Sequence, residues 1–167
     1  MTKHNLDNDF DYTFTLFGIV CHDSEYKICS GLSKQLNIDF VREKSIELKG
    51  KKKDEYFHFS LFGFKDELSG NSYYLLNNSS SNALEITTNK RSNLQPDLFE
   101  STKEAINRSK GKLIPELQEV DYFLLLDGEF SNSELLSLNQ KIQETEIVVT
   151  CRMIEVDRLS SKNNLIF

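Results

Sequence analysis

Two stretches of the chain show the apolar patterns that are typical of β-strands. The first covers residues 12–20 and reads YTFTLFGIV, in which threonines separate Phe14 from Leu16. The second covers residues 120–128 and reads VDYFLLLDG, which is apolar at most positions. Because strands of globular proteins commonly run for four to about ten residues, both stretches are predicted to form strands.

Each predicted strand is followed by a segment with helical periodicity. Apolar residues recur there at spacings of three and four positions: Cys29, Leu32 and Leu36 in the first segment, Leu135, Leu138 and Ile142 in the second. The sequence SNSE at 131–134 is a capping-box pattern, which marks the start of a helix. A β-branched segment, residues 146–156, then favours another strand. The pattern therefore predicts two β-α-β units.

The middle of the chain is predicted to supply further strands, a long loop and a third helix. These elements are a strand, a Lys-rich turn and an aromatic strand within 39–64, a strand at 72–76, a polar loop at 77–97 with an edge strand near 83–88, and a helix over 97–111. Pro115 then favours an extended lead-in to the strand at 120–128, since proline disfavours a helical conformation before it.

Together these elements predict a two-layer α+β fold, with helices on one face of a mainly antiparallel sheet. We expect a ferredoxin-like arrangement with strands inserted at 72–88. In that arrangement strands 12–20 and 120–127 are adjacent and parallel, so that the loops leading into the two helices open at the same end of the sheet. Residues 1–10 are expected to form a flexible tail, and residues 11–167 a single domain.

Composition and charge narrow the classes of function. The chain has 167 residues with 20 Lys and Arg against 26 Asp and Glu, a formal charge of −6, which argues against nucleic acid or an anionic membrane as the partner of the whole surface. The start of the chain lacks the basic region of a signal peptide, and its longest apolar run there is too short to span a bilayer. Three cysteines without a CxxC pattern indicate reduced thiols. We therefore expect a cytoplasmic protein that is not in the membrane.

The run GKLIPELQEVDYFLLLDGEF, residues 111–130, combines Ile114-Pro115-Glu116 with Val120-Asp121-Tyr122 after a gap of three residues. This pattern resembles the signature of the IPExxxVDY family of small bacterial proteins. The segments FHFSLFGF at 57–64 and SSKNNLIF at 160–167 are also similar to that family's aromatic strand and terminal segment. The family has no established activity, so the resemblance implies no catalytic residue and no cofactor.

The acids of this motif have two interpretations. In the structural one, Asp121 accepts backbone hydrogen bonds at the start of a strand and the glutamates are solvated. In the other, they form the polar rim of a docking surface, because both faces of strand 120–128 are apolar and the helices cover only one. The other face would be covered by residues 97–110, by the C-terminal NLIF, or by a partner. The residues predicted to contact a partner protein are Glu116, Glu119, Asp121, Phe123, Leu125, Leu165, Ile166 and Phe167.

The two helix-entry loops are a second candidate site. One contains His22 and Asp23, and the other contains Asp127 and Glu129. If the loops share an end of the sheet, these side chains can bind a divalent metal ion or perform acid–base chemistry. The alternative is that acids and serines stand there because they cap exposed N–H groups at helix starts.

A dense basic run is the third candidate. It comprises Lys49, Lys51, Lys52 and Lys53 at the tip of a predicted hairpin. Such a run is typical of a solvated turn, and it also suits contact with RNA phosphates beside the aromatic strand.

The sequence contains none of the motifs HExxH, GxSxG, P-loop or GxGxxG. The leading interpretation is therefore a non-enzymatic module that acts through protein–protein contact. The alternatives are a metal- or small-ligand-binding protein, or an enzyme, that uses the helix-entry loops, and an RNA-associated accessory protein. The sequence does not choose a cofactor, a particular partner or an oligomeric state.

Overall fold

The computed structural model of the protein describes residues 14–50, 55–80 and 111–167. The predicted tail at 1–10, the edge strand near 83–88 and the helix over 97–111 fall wholly or almost wholly outside these residues.

The described chain contains eight strands, two α-helices and two short 3-10 turns. In chain order they are β1 (Thr15–Val20), α1 (Glu25–Leu36), β2 (Val41–Arg42), β3 (Ile46–Lys49), β4 (Tyr56–Phe59), β5 (Leu61–Lys65), β6 (Ser72–Asn77), β7 (Tyr122–Asp127), α2 (Asn132–Gln143), β8 (Thr150–Ile154), and 3-10 turns at Val156–Arg158 and Lys162–Leu165.

Six of these strands form one sheet in the order β2-β5-β6-β7-β1-β8, and β3 pairs with β4 in a separate two-stranded sheet. Each neighbouring pair in the large sheet is antiparallel. Both helices lie on the same face of that sheet, where their apolar residues join one core cluster. The predicted α+β class, with a mainly antiparallel sheet, is confirmed.

β1 and β7 are neighbours, as predicted, but their relative direction was predicted wrongly. Thr15 lies opposite Leu126 and Ile19 lies opposite Tyr122, so the strands are antiparallel. The sheet order gives the physical reason: α1 carries the chain from β1 to the distant edge strand β2, and α2 carries it from β7 across β1 to β8. The end of β1 therefore lies beside the start of β7, and the two helix-entry loops open at opposite ends of the sheet.

The helix-covered face contains the residues that gave the helices their predicted periodicity. Cys29 and Leu32 of α1 and Ile142 of α2 are buried against the sheet, and Leu36, Leu135 and Leu138 pack around them. Ile19 and Leu124 meet these side chains from the sheet. Burial of an apolar side chain contributes about 1.5–3 kcal/mol, so this face stabilises the helices far more than their intrinsic propensity does.

The opposite face is covered by three segments of the chain itself. β3 and β4 form a hairpin, and Ser60 alone separates β4 from β5 of the large sheet. At Ser60 the chain crosses between the two sheets, so that the β3–β4 hairpin folds over the face of the large one. The motif segment and the C-terminal turns complete the cover. The resulting cluster contains Leu16, Ile46, Phe59, Leu61, Leu76, Leu113, Ile114, Val120, Phe123, Leu125, Val156, Leu159 and Leu165.

This cover corrects part of the predicted docking surface. Phe123, Leu125 and Leu165 are buried by the protein's own segments, so these three side chains are not available to a partner in this fold. Ile166 and Phe167 remain about half exposed, and the Phe167 ring packs edge-on against Tyr74 at 5.4 Å between ring centroids.

We expect Phe123→Ala to lower the free energy of unfolding by about 3–5 kcal/mol, because truncation of a fully buried phenylalanine leaves a cavity that neighbours fill only in part. Phe167→Ala is the matched control and should cost less than about 1.5 kcal/mol, since it loses one exposed ring contact. Urea unfolding followed by circular dichroism measures both. Equal losses for the two variants would contradict the described cover.

Candidate functional site

The motif residues are organised around the buried side chain of Asn78, which directly follows β6. Its Oδ1 accepts a hydrogen bond from the Ile114 amide at 2.9 Å. Its Nδ2 donates to the carbonyl oxygens of Leu117 at 2.9 Å and Val120 at 2.8 Å. A single amide group therefore spans the motif from Ile114 to Val120 and satisfies three backbone groups.

The second half of the motif fixes the loop that leads into α1. The carboxylate of Asp121 accepts a hydrogen bond from the Cys21 amide at 3.0 Å, which is the backbone contact predicted for this residue. The hydroxyl of Tyr122 donates to the carbonyl oxygen of Asp23 at 2.8 Å. These two bonds tie the start of β7 to the chain between β1 and α1.

The two glutamates also contact the protein itself. Glu116 accepts a hydrogen bond from the Ser161 amide at 2.8 Å. Burial raises the pKa of Glu116, but the hydrogen bonds from Ser161 and the neighbouring backbone outweigh it and leave the pKa below its usual value. Glu119 forms an ion pair with Arg152 in which both side chains are more than half exposed, so it contributes at most about 1 kcal/mol. The geometry favours the structural interpretation of the motif.

The metal site predicted at the two helix-entry loops is not formed. His22 and Asp23 follow β1, whereas Asp127 and Glu129 lie at the other end of the antiparallel pair. Six residues of strand separate the two ends by about 20 Å, against about 2–2.6 Å for metal–ligand contacts. Among the described residues, no group of three or more His, Cys, Asp or Glu is placed to hold a metal ion.

Each of these residues has a local environment of its own. His22 is exposed, with Nδ1 3.9 Å from the Asp121 carboxylate. Asp23 pairs with the Lys27 ammonium at 2.7 Å. The backbone N–H of Glu129 donates to Asn71 Oδ1 at 3.2 Å, and its carbonyl accepts from Asn71 Nδ2 at 3.3 Å.

The capping interpretation holds at α2. The Ser131 side chain accepts from the Glu134 amide at 3.3 Å, and Glu134 accepts from the Ser131 amide at 2.7 Å. This is the capping box that the sequence predicted.

The three cysteines, Cys21, Cys29 and Cys151, are buried thiols. Burial raises the pKa of each, and raises that of Cys151 to about 12. Because the thiolate is the reactive form, these side chains behave as small apolar residues of the core rather than as nucleophiles.

The basic run is described in part. Lys49 ends β3 and lies opposite Tyr56 in the register, while Lys51, Lys52 and Lys53 lie outside the described residues. Contact of this turn with RNA therefore remains a prediction.

A groove between α2 and β8 is the feature that the sequence analysis missed. It has a volume of about 330 Å³ and is lined by Phe17, Asn132, Leu135, Leu136, Asn139 and Met153. Leu136 is 69% exposed and Met153 is 56% exposed. The Oδ1 atom of Asn139 is buried and has no hydrogen-bond partner among the described residues. The adjacent leucines 135 and 136 are the sequence signal, because Leu135 belongs to the core-facing stripe with Leu138 and Ile142, and the next residue of a helix is turned about 100° away from it.

The groove adjoins an open edge of the sheet. β8 is the last strand in the sheet order, and in the described part of the chain no strand pairs with its outer side. The Gln143 side chain donates to the carbonyl oxygen of Cys151 at 3.0 Å, so that this carbonyl is directed away from β1. Met153 lies two residues further and has the same backbone orientation, because strand geometry repeats every two residues.

Comparison of the chain with protein-family models, with curated proteins and with solved structures finds no match. Within the described residues, no helix has the length and apolar character needed to cross a membrane.

We expect Asn78→Ala to lower the free energy of unfolding by about 3 kcal/mol or more, because three backbone groups around the motif lose their partner and each such loss costs about 1–3 kcal/mol. Asn77→Ala is the control, since Asn77 Oδ1 accepts one local bond from the Ser79 amide. Urea unfolding should show a loss of about 1 kcal/mol for the control. If both variants lose the same amount, the amide of Asn78 does not organise the motif.

The stability of the protein should fall at alkaline pH partly through Tyr122. Burial raises the pKa of the Tyr122 phenol from 10.0 to about 12. The folded state thus keeps this proton to higher pH than the unfolded chain, so its contribution is complete below pH 10 and is lost as the pH rises to about 12.

Urea unfolding at a series of pH values from about 9 to about 11 tests this contribution. The free energy of unfolding of Tyr122→Phe should decline less steeply than that of the wild type. Part of the decline should persist in the variant, because the pKa of Cys151 is also raised to about 12. Identical slopes for the two proteins would contradict the assignment.

Proposed function

We propose that the protein is a non-enzymatic protein-interaction module whose binding surface is the outer edge of β8 together with the groove between β8 and α2. The observation that carries this proposal is the convergence of two exposed apolar side chains, Leu136 and Met153, beside a strand edge that no described strand covers. We call this surface the β8 groove.

An open strand edge is a binding element in its own right. Its outward N–H and C=O groups form hydrogen bonds with an extended segment of another chain, and neighbouring pockets receive alternate side chains of that segment. Edge strands of proteins that avoid such pairing commonly contain proline or an inward-pointing charge. β8 reads TCRMI and contains no proline. Its one charged side chain, Arg152, is held in an ion pair with Glu119, and Met153 lines the groove. These features support pairing with a partner strand.

The composition of the groove also supports binding of a partner chain. Its volume of about 330 Å³ lies at the lower end of the range for small-molecule sites, about 300–1,000 Å³. Its lining is mainly aliphatic and aromatic, and Asn132 and Asn139 supply polar groups. An apolar centre with polar groups around it is the usual anatomy of a protein interface.

The docking surface that the sequence predicted around the motif acids contributes little to this proposal. Glu116, Glu119 and Asp121 make contacts within the chain, and the apolar residues beside them are covered. The observations on the helix-entry loops do not favour the metal or enzyme alternative, because His22 and Asp127 stand at opposite ends of the β1–β7 pair.

Two further points belong to the proposal. The IPExxxVDY pattern of the sequence supports membership of that bacterial family, and Glu116, Asp121 and Tyr122 of the pattern each make a specific contact in this fold. The three buried, unpaired thiols support a reducing, cytoplasmic location.

Photo-crosslinking in cells of the source organism tests the proposal. With p-benzoylphenylalanine in place of Leu136 or Met153, irradiation should yield one discrete adduct with another protein. The same substitution at Val41 is the matched control, because Val41 is 63% exposed but lies on β2, at the opposite edge of the sheet. The partner identified by mass spectrometry, once purified, should bind the wild-type chain and bind Leu136→Glu at least tenfold more weakly. Absence of an adduct at positions 136 and 153, or the same adduct at position 41, would overturn the proposal.

A further inference from the structure

The charge around the β8 groove is strongly biased. From residue 127 to residue 158, the stretch that contains α2 and β8, seven acids stand against three bases, a net charge of −4 within a chain of net charge −6. All of these charged side chains are exposed. The acids are Asp127, Glu129, Glu134, Glu144, Glu146, Glu155 and Asp157, and the bases are Lys141, Arg152 and Arg158.

Two of the three bases are already neutralised within the chain. Arg152 pairs with Glu119, which lies outside this stretch, and Arg158 pairs with Glu155 at 2.6 Å. The Ser131 hydroxyl and backbone donate hydrogen bonds to Glu134, which lower the pKa of that carboxyl, so Glu134 is charged at neutral pH. Glu155 is compensated by Arg158, and Asp157 lies 4.0 Å from the Lys162 ammonium. The remaining acids of the stretch still outnumber Lys141, so the surface around the groove is acidic.

Acids stand towards both ends of the groove. Because α2 runs antiparallel to β8, Glu134 in the first turn of α2 lies towards the end of β8, and Glu144 and Glu146, which follow α2, lie towards its start. β8 and α2 meet along the groove, where Met153 lies beside Leu136 and Asn139. An apolar side chain placed in the groove would therefore have the Glu134 carboxylate towards one end of β8 and those of Glu144 and Glu146 towards the other.

The negative charge around the β8 groove distinguishes between the partners that could bind there. Two copies of the chain that paired β8 with β8 would bring two acidic surfaces together, and like charges across an interface cost free energy. Nucleic acid and anionic membranes are disfavoured for the same reason. A segment with Lys or Arg on each side of an apolar residue matches both the charge and the lining of the groove.

We propose that the β8 groove binds an extended, basic segment of a partner protein, which adds to β8 as a further strand and places an apolar side chain between α2 and Met153. This proposal rests on the proposed function of the β8 groove as an interaction surface. The backbone groups of Met153 pair with the added strand, and the exposed Leu136 and Met153 side chains contact its apolar side chain. The acids around the groove attract its flanking bases.

The probe is a synthetic nine-residue peptide with lysines around a central leucine, titrated into the full chain labelled with ¹⁵N. Chemical-shift changes should concentrate on Leu136, Asn139, Cys151 and Met153. A matched peptide with glutamates in place of the lysines should bind at least tenfold more weakly, and binding of the basic peptide should weaken as salt rises from about 50 to about 300 mM.

Strand addition is separated from general electrostatic attraction by two further peptides. Each is N-methylated at alternate residues, so that one loses the donors of one strand edge and the other loses those of the opposite edge. One of the two should lose binding while the other retains it. Leu136→Ser should weaken binding about tenfold, as truncation of an apolar interface residue does, whereas Val41→Ser on the opposite edge should leave it unchanged. Both residues are exposed, and thermal unfolding checks that the variants stay folded.

Equal binding of the two methylated peptides, equal binding of the acidic peptide, or shifts centred elsewhere would overturn the inference. Shifts at β8 that depend on protein concentration without peptide would overturn it in favour of self-pairing. If crosslinking at position 136 identifies a partner whose bound segment is not basic, this inference fails while the interaction function stands. If neither position 136 nor position 153 crosslinks and the basic peptide does not bind, both fail.

Discussion

The fold depends on one buried amide, that of Asn78. The side chain holds the turn between Ile114 and Val120, and the Asn78 backbone extends the β6–β7 ladder through the Asp121 carbonyl at 2.8 Å and accepts from the Leu113 amide at 2.9 Å. These bonds place Leu113 and Ile114 in the core beneath β7. They also place Val120 against Gly18, where an added Cβ would lie 3.2 Å from Val120 Cγ2. The cover of the second sheet face therefore begins at this amide.

The local elements could be predicted from the sequence, whereas the contacts between distant segments could not. The periodicity of Leu135, Leu138 and Ile142 and the Ser131–Glu134 capping box are encoded within a few residues, and both are present. Strand direction has no such signature, because an apolar strand has the same pattern in a parallel or an antiparallel pair. The role of Asn78 was equally hidden, since it stands in the polar run NNSSSN beside the partly exposed Asn77. Its partners lie between 36 and 42 residues away in sequence.

The docking surface predicted beside the motif acids rested on a correct constraint, that the second face of strand 120–128 must be covered. It was wrong about what covers that face. Strand 120–128 is apolar on both faces, and burial of its second face was required. The chain supplies that cover itself: Glu116 holds the Ser161 amide, and Asn164 donates to the Leu113 carbonyl at 2.8 Å. These two contacts anchor the C-terminal turns over β7, so that Leu165 becomes part of the core. A surface that looked incomplete in the sequence is closed in the structure.

With both faces covered, the edges of the sheet are the places where backbone groups stay open. The two edges differ. β2 is only two residues long. The guanidinium of its Arg42 donates hydrogen bonds to Glu25 at 2.9 Å and to the Tyr26 hydroxyl at 3.2 Å, so this side chain is engaged within the chain. β8 has five residues, and its groove lining includes apolar side chains that no described segment covers. Long open edges favour aggregation unless something opposes pairing between copies. The acidic surface around β8 repels the equally acidic surface of a second copy of this chain, and it attracts a basic partner. The same charges therefore protect the edge and select what binds to it.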